Sequence, residues 1–334
     1  MAKTKLCRIL AQIFVMTQLA NEIAGFVPVS NENRALSGRS LQRSKLNANL
    51  ITFDLDDTIF PVGPVVADAN KALFRHMKEL GCDTTQDEYL KTTKAIRTEL
   101  SKENKVITYT ELRKRAIRTE LKKFLPDKDV TDSVVFGSYD LWEDHRHMAA
   151  ETHLYPDTVS MLRQLKTNHP EAIIGAITNG KGNPLAMDSI REYFDFCVSG
   201  EDDDVFPLRK PSEGIYKVAL NRFRELSEKR SSGESIDMEK QCWVHIGDDL
   251  ANDVGASAKC GAKAIWVDLD DDEYDQSASS RDPSKPQPAW STATKEELEK
   301  RIRMNEKAQE YVSERVTTLT MIPLAVESIT KATL

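Results

Sequence analysis

The run Asn49-Leu50-Ile51-Thr52-Phe53-Asp54-Leu55-Asp56-Asp57-Thr58 constrains this chain more than any other segment: an apolar, β-like stretch ends in three carboxylates. A second run, Trp243-Val244-His245-Ile246-Gly247-Asp248-Asp249, ends the same way about 190 residues later. Acids at the end of a buried strand are costly to desolvate unless they are paired, hydrogen-bonded or bound to a cation. Two such runs predict strand ends that converge on one hard metal ion, Mg²⁺ held by oxygen ligands.

Further short apolar runs lie at 172–177 and 263–267, with a weaker one at 194–198. Helix-like segments at 156–168, 184–192, 212–228 and 251–260 separate the later runs. Strands alternating with helices predict an α/β fold with a Rossmann-like parallel sheet covered on both faces. The first gap breaks the rhythm, because 116 residues separate Leu55 from Ala172. Within it Val66, Leu73, Met77 and Leu80 share one helical face, and Leu112, Ile117, Leu121 and Phe124 another. Residues 64–151 are therefore expected to form an inserted helical cap, leaving 46–63 and 152–270 as the core. Residues 271–334 are expected to be a linker and a C-terminal helix: 270–290 read as solvated and 295–314 as a surface helix.

The chain of 334 residues carries a net charge of −7, unevenly spread: residues 1–45 contribute +5 and the remainder −12. An acidic body offers nucleic-acid phosphates no electrostatic footprint, so a nucleic-acid partner is not expected. No stretch of the body is long and apolar enough for stable membrane insertion. The five cysteines are scattered, which fits neither zinc ligation nor a disulfide framework. Lys3, Lys5 and Arg8 precede the apolar run Ile9–Ala20 and the small residues Ala24-Gly25, the layout of a signal peptide. The Arg- and Ser-rich, acid-poor stretch after Phe26 has the composition of a transit peptide. Residues 1–45 thus resemble the bipartite plastid presequences of diatoms and related algae; a mitochondrial or secretory address is the alternative.

Aspartate becomes a useful nucleophile toward phosphorus when a metal neutralises charge and orients both partners in line. Asp54, at the carboxyl end of the first strand, is placed for that role. Asp56, two positions on, returns to the same side of an extended chain and can serve as acid and base. Its main-chain carbonyl would be a further metal ligand beside the carboxylates of Asp54 and Asp248. Asp249 and Asp253, spaced i,i+4 at a helix start, are assigned to orienting metal-bound water. Thr178-Asn179-Gly180 after the run 172–177 reads as a neutral phosphate clamp, and Lys210 places a point charge on the same phosphate.

In this order the motifs resemble the four signatures of the haloacid dehalogenase superfamily of phosphatases, with the insertion where the C1-type subfamily carries its cap. The resemblance covers roughly residues 48–268. It implies that Asp54 forms an aspartyl-phosphate, Asp56 is the acid/base, Thr178 and Lys210 bind phosphate, and Asp248 binds Mg²⁺. The nearest likeness is to bacterial FMN and phosphoribitylaminouracil phosphatases. It is carried by Thr52-Phe53-Asp54-Leu55-Asp56-Asp57-Thr58, Ala176-Ile177-Thr178-Asn179-Gly180, Lys210-Pro211 and His245-Ile246-Gly247-Asp248-Asp249.

The expected function is Mg²⁺-dependent hydrolysis of a small-molecule phosphomonoester, FMN or a phosphoribityl or nucleotide monophosphate. A sugar phosphomutase and a non-catalytic binding protein on the same fold are the competing readings. Substrate contacts are expected from the cap and from Ile59-Phe60-Pro61-Val62-Gly63. Tyr139, Trp142, His145, Arg146 and His147 crowd a helix leading back to the core, where an aromatic and an arginine could stack on an isoalloxazine or pyrimidine ring. The plainer reading makes Trp142 cap core and Arg146 a solvated charge.

Overall fold

The computed structural model describes residues 48–332 apart from 104, 128, 232–236, 238–239, 271–272, 275–281, 289–290 and 292. The presequence expected at 1–45 lies outside the described residues, as does much of the segment 270–290. Six strands form one parallel sheet: β1 (Leu50–Phe53), β2 (Ile173–Thr178), β3 (Phe196–Ser199), β4 (Trp243–Gly247), β5 (Lys263–Val267) and β6 (Val312–Val316). Their spatial order is β3-β2-β1-β4-β5-β6. β1 pairs on one side with β2 and on the other with β4, so Phe53 lies opposite both Ala176 and Ile246. The chain therefore leaves β1 in two directions across the sheet. In open α/β sheets such a switch point leaves a crevice at the carboxyl ends of the strands.

Both faces of the sheet are covered, which is why its central strands read as unbroken apolar runs. One face packs Ile51, Phe53, Ile174 and Val244 under α5 (Thr158–Asn168) and α9 (Ile322–Ala332). The other packs Leu50, Ile173, Ile177 and Trp243 under Ile215, Ala219 and Phe223 of α6 (Glu213–Arg230). Between β1 and β2 the chain makes four helices, α1 (Val62–Glu79), α2 (Gln86–Lys102), α3 (Tyr109–Phe124) and α4 (Asp132–Thr152). Their own core includes Leu73, Met77, Ile117, Leu121, Tyr139 and Trp142. Phe124, expected on that face, is exposed because α3 ends there.

Four expectations need correction. The helix expected at 184–192 is two single 3₁₀ turns, Pro184–Ala186 and Arg191–Tyr193, with Met187 and Ile190 plugged into the core three residues apart. The helix expected at 251–260 opens as a wide π-type turn, Leu250–Gly255, before the short α7 (Ala256–Lys259). The surface helix expected at 295–314 stops at Ala308 as α8 (Lys295–Ala308), and Val312–Val316 then joins β5 as an edge strand. An edge strand buries only alternate residues, so Glu314 and Arg315 disguised it. Within the segment read as solvated linker, Tyr274 is buried and packs edge-on against Tyr155, and its hydroxyl accepts a hydrogen bond from the Leu319 amide. Among the described residues no helix is long and apolar enough to cross a membrane.

Candidate active site

The ladder between β1 and β4 continues one residue past the strand, the Asp54 amide donating to the Ile246 carbonyl at 2.8 Å. This sets Asp54 beside the Gly247-Asp248 turn at the switch point. Gly247 is required there, because a Cβ on it would lie 2.5 Å from Asp253 Cγ. Carboxylate oxygens of Asp54, Asp248 and Asp253 all lie within 4.8 Å of one another, and all three residues are buried. Lys210 Nζ donates to Asp54 Oδ1 at 2.5 Å and to Asp253 Oδ1 at 2.7 Å.

One lysine does not balance three buried carboxylates. Burial pushes Asp54 up to about 8, with Asp253 and Asp56 adding to the shift and Lys210 opposing it. Burial and the surrounding acids likewise drive Asp248 well above the ordinary carboxylate range. Burial also works against ionised Asp253, but Lys210 and His245 outweigh it and hold that carboxyl at about 2. Burial opposes the charge on Lys210, and the attraction of Asp253 and Asp54 more than restores it. Carboxyls that burial keeps from ionising together unless a further cation joins them, in an all-oxygen donor set, fit a hard divalent cation such as Mg²⁺.

Several placements depart from expectation. The Asn179 side chain does not face the site: its Nδ2 donates to the Lys210 carbonyl at 3.0 Å and its Oδ1 accepts the Lys210 amide at 2.8 Å. Both ends of the amide are spent on fixing the lysine's backbone. Thr178 ends β2 with its hydroxyl accepting from the Gly180 amide, and a Cβ on Gly180 would come within 3.3 Å of Asp56 Oδ2. Asp249 turns toward its own loop, accepting the amides of Ala251 and Asn252. Asp253, expected to act only on metal-bound water, stands among the clustered carboxylates themselves. The Asp56 carboxylate, expected as acid and base and not as a metal ligand, accepts at Oδ1 from Arg146 Nη2 at 2.7 Å. Ile59 and Phe60, expected near substrate, are fully buried in the core.

Four contributors escaped the sequence reading of the site. The Thr58 hydroxyl accepts the Asp248 amide and donates to Asp248 Oδ1, both at 3.1 Å, fixing that side chain. Arg146 on α4 is buried, not solvated, and its Nη1 has no hydrogen-bond partner among the described residues. Only its position late in the insert, where α4 returns to the core, hinted at this. Behind Asp253 stands the fully buried His245, whose proton affinity burial lowers. Trp243 Nε1 donates to Thr52 Oγ1, which also shares a 2.8 Å hydrogen bond with His245 Nδ1. The ring's Nε2 lies 3.6 Å from Asp253 Oδ1. Arg301 of α8, finally, forms an ion pair with Asp249.

A parallel sheet with clustered acids at its switch point, a buried lysine and a helical insert after β1 define a hydrolase of the haloacid dehalogenase type. The sequence model of the haloacid dehalogenase-like hydrolases matches residues 48–261, and the chain belongs to this family. It is 24% identical to the glyceraldehyde 3-phosphate phosphatase of Methanocaldococcus jannaschii, over 67% of this chain and 89% of that one. It is 22% identical to the 5-amino-6-(5-phospho-D-ribitylamino)uracil phosphatase YigB of Escherichia coli, over 69% of this chain and 88% of that one. A third match, to an uncharacterized Saccharomyces cerevisiae protein, is 30% identical but spans only 35% of this chain and 39% of that one. Among solved structures, the 2-haloacid dehalogenase of Pseudomonas syringae pv. Tomato DC3000 shares the fold with a TM-score of 0.57 at 20% identity. That likeness covers 84% of this chain and 99% of the dehalogenase.

Proposed function

We propose that the protein is a Mg²⁺-dependent phosphomonoesterase that works through an aspartyl-phosphate on Asp54. The observation that carries this reading is the convergence of Asp54, Asp248, Asp253 and Lys210 at the carboxyl edge of β1 and β4. The carboxylates of Asp54, Asp248 and Asp253 would hold the ion, with the Asp56 carbonyl as the expected further ligand. When bound, Mg²⁺ neutralises charge on the phosphate and on Asp54 and orients them for in-line displacement.

Asp54 attacks phosphorus, the bond to the ester oxygen breaks, and Asp56 gives that oxygen its proton. Asp56 then takes a proton from water, which attacks the aspartyl-phosphate and releases inorganic phosphate. Lys210 and the Thr178 hydroxyl hold phosphate oxygens through both steps, and Asn179 keeps Lys210 in place. Arg146 positions Asp56. The insert of α1–α4 acts as a cap, and the proposed substrate is FMN or a phosphoribityl or nucleotide monophosphate. The phosphatase names of the two longer relatives support phosphate-ester hydrolysis, and the YigB match supports a phosphoribityl compound. The layout of residues 1–45 supports a plastid address, checked by imaging a fluorescent fusion of that segment in an alga.

The test is phosphate release with Mg²⁺ from FMN, phosphoribityl compounds, nucleoside monophosphates, triose phosphates and hexose phosphates. A preference for FMN or a phosphoribityl compound sustains the substrate assignment. Preference for triose phosphates would replace it. Isomerised sugar phosphate with no free phosphate would mean a mutase instead.

A further inference from the structure

The family match ends at residue 261, yet α8, more than thirty residues further on, reaches the catalytic loop. Glu297, Arg301 and Asn305 follow one another at four-residue spacing and so share one face of that helix. Asn305 Oδ1 accepts the Ala251 amide at 3.0 Å, and Arg301 Nη2 pairs with Asp249 Oδ2. At the far end of the stripe, both carboxylate oxygens of Glu297 accept from Arg97 of α2, at 2.6 and 2.9 Å. Beyond the stripe Ala308 sits against the wide turn, so close that a Cβ on Gly255 would lie 2.9 Å from its own Cβ. With Leu250 and Val254 it forms a small apolar cluster.

The wide turn Leu250–Gly255 is what brings Asp253 back to Asp248. Asp249 caps the turn through the amides of Ala251 and Asn252, while Asp253 Oδ2 accepts the Asp249 amide at 3.0 Å. The loop is thus closed on itself by two buried carboxylates, one of which touches Lys210 and the other Arg301. Truncating Arg301 would leave Asp249 buried without its charged partner and free to swing out of the cap.

We propose that α8 is a built part of the active site, and that Arg301 is a positioning residue which holds Asp249 and thereby keeps Asp253 and Asp248 convergent. The inference rests on the phosphatase reading above for its consequence, the grip on Mg²⁺, but not for its geometry. The variants Arg301→Met, Arg301→Lys and Arg97→Gln are made in the full chain; Arg97→Gln loosens the outer end of α8 without touching the loop. The first readout is hydrogen exchange of the Ala251, Asn252 and Asp253 amides without metal. The second is calorimetric titration with Mg²⁺ alone.

Arg301→Met should speed exchange of those amides at least tenfold and weaken Mg²⁺ binding by about tenfold, the low end of what losing a direct outer partner of a metal ligand costs, because Arg301 acts one residue further out, through Asp249. Arg301→Lys should recover most of both, and Arg97→Gln should change neither. Wild-type exchange in Arg301→Met overturns the proposal, as does an equal effect from Arg97→Gln, which would assign the change to helix docking in general. Should Arg301→Met fail to fold, wild-type behaviour of Arg301→Lys supports the charge's role and tenfold loss in it overturns that role. A wild type that neither binds Mg²⁺ nor releases phosphate refutes the functional reading, while exchange still decides the inference.

Discussion

Replacing Asp54 with Asn should make the metal-free protein more stable while abolishing turnover. In the folded chain the Asp54 carboxyl stands at about 8, against an ordinary 3.8. An acid whose folded value is raised contributes stability that is whole below its unfolded value and lost as pH rises toward the folded one. Between those limits the unfolded chain is ionised at this position and the folded chain is not. At pH 7.5 the loss reaches on the order of 5 kcal/mol, at about 1.36 kcal/mol per pH unit. The attraction of Lys210 is already contained in the raised value. Asp253, held at about 2, changes stability only at pH below the ordinary carboxylate value and stays outside this window. Urea denaturation in EDTA should therefore show Asp54→Asn ahead by up to that amount at pH 7.5 and level with wild type near pH 4. Added Mg²⁺ should close the gap, because a divalent cation removes the penalty on the ionised acid. A variant no more stable at pH 7.5, or a gap that ignores pH, would refute the reasoning; undiminished phosphate release would refute the nucleophile.

Thr58→Val removes the hydroxyl that meets both the amide and a carboxylate oxygen of Asp248; a loss of about 1–3 kcal/mol in urea is expected, with weaker Mg²⁺ binding by calorimetry. Gly247→Ala drives a methyl into Asp253, so overpacking should cost roughly 1–3 kcal/mol and displace the acid, read as a lowered Tm and lost activity. Arg146→Met frees Asp56 from its charged partner, and kcat should fall about 100-fold, within the range that acid–base catalysis supplies, with KM changed far less.

How far the site could be read from residues alone depends on how local each signal is. Asp54 and Asp248 follow apolar runs directly, so strand periodicity and the cost of burying charge pointed to them, whereas Asp253 was expected only to orient metal-bound water from its spacing with Asp249. Lys210 required the order of the motifs. Thr58 lay inside the first run, but its grip on Asp248 joins residues 190 positions apart. Arg146 had the look of a solvated helix charge, because on α4 nothing in the sequence marks which face meets the core. Asn179 misled for the opposite reason: a polar residue after a strand suggested a ligand group, and tertiary packing spent it on Lys210.

The sequence alone determined the parallel α/β sheet, the helical insert between its first two strands and the acids at the strand ends, because burial on two faces imposes contiguous apolar runs and short-range periodicity. Only the tertiary structure decided that β6 closes the sheet's edge, that the loop after β4 makes a wide turn, and that Arg146 and Arg301 reach the carboxylates from an inserted helix and a C-terminal one. The two arginine contacts join distant segments through charge pairs in which one partner is buried. Their energy depends on desolvation and distance in the folded chain, quantities no local pattern of residues encodes.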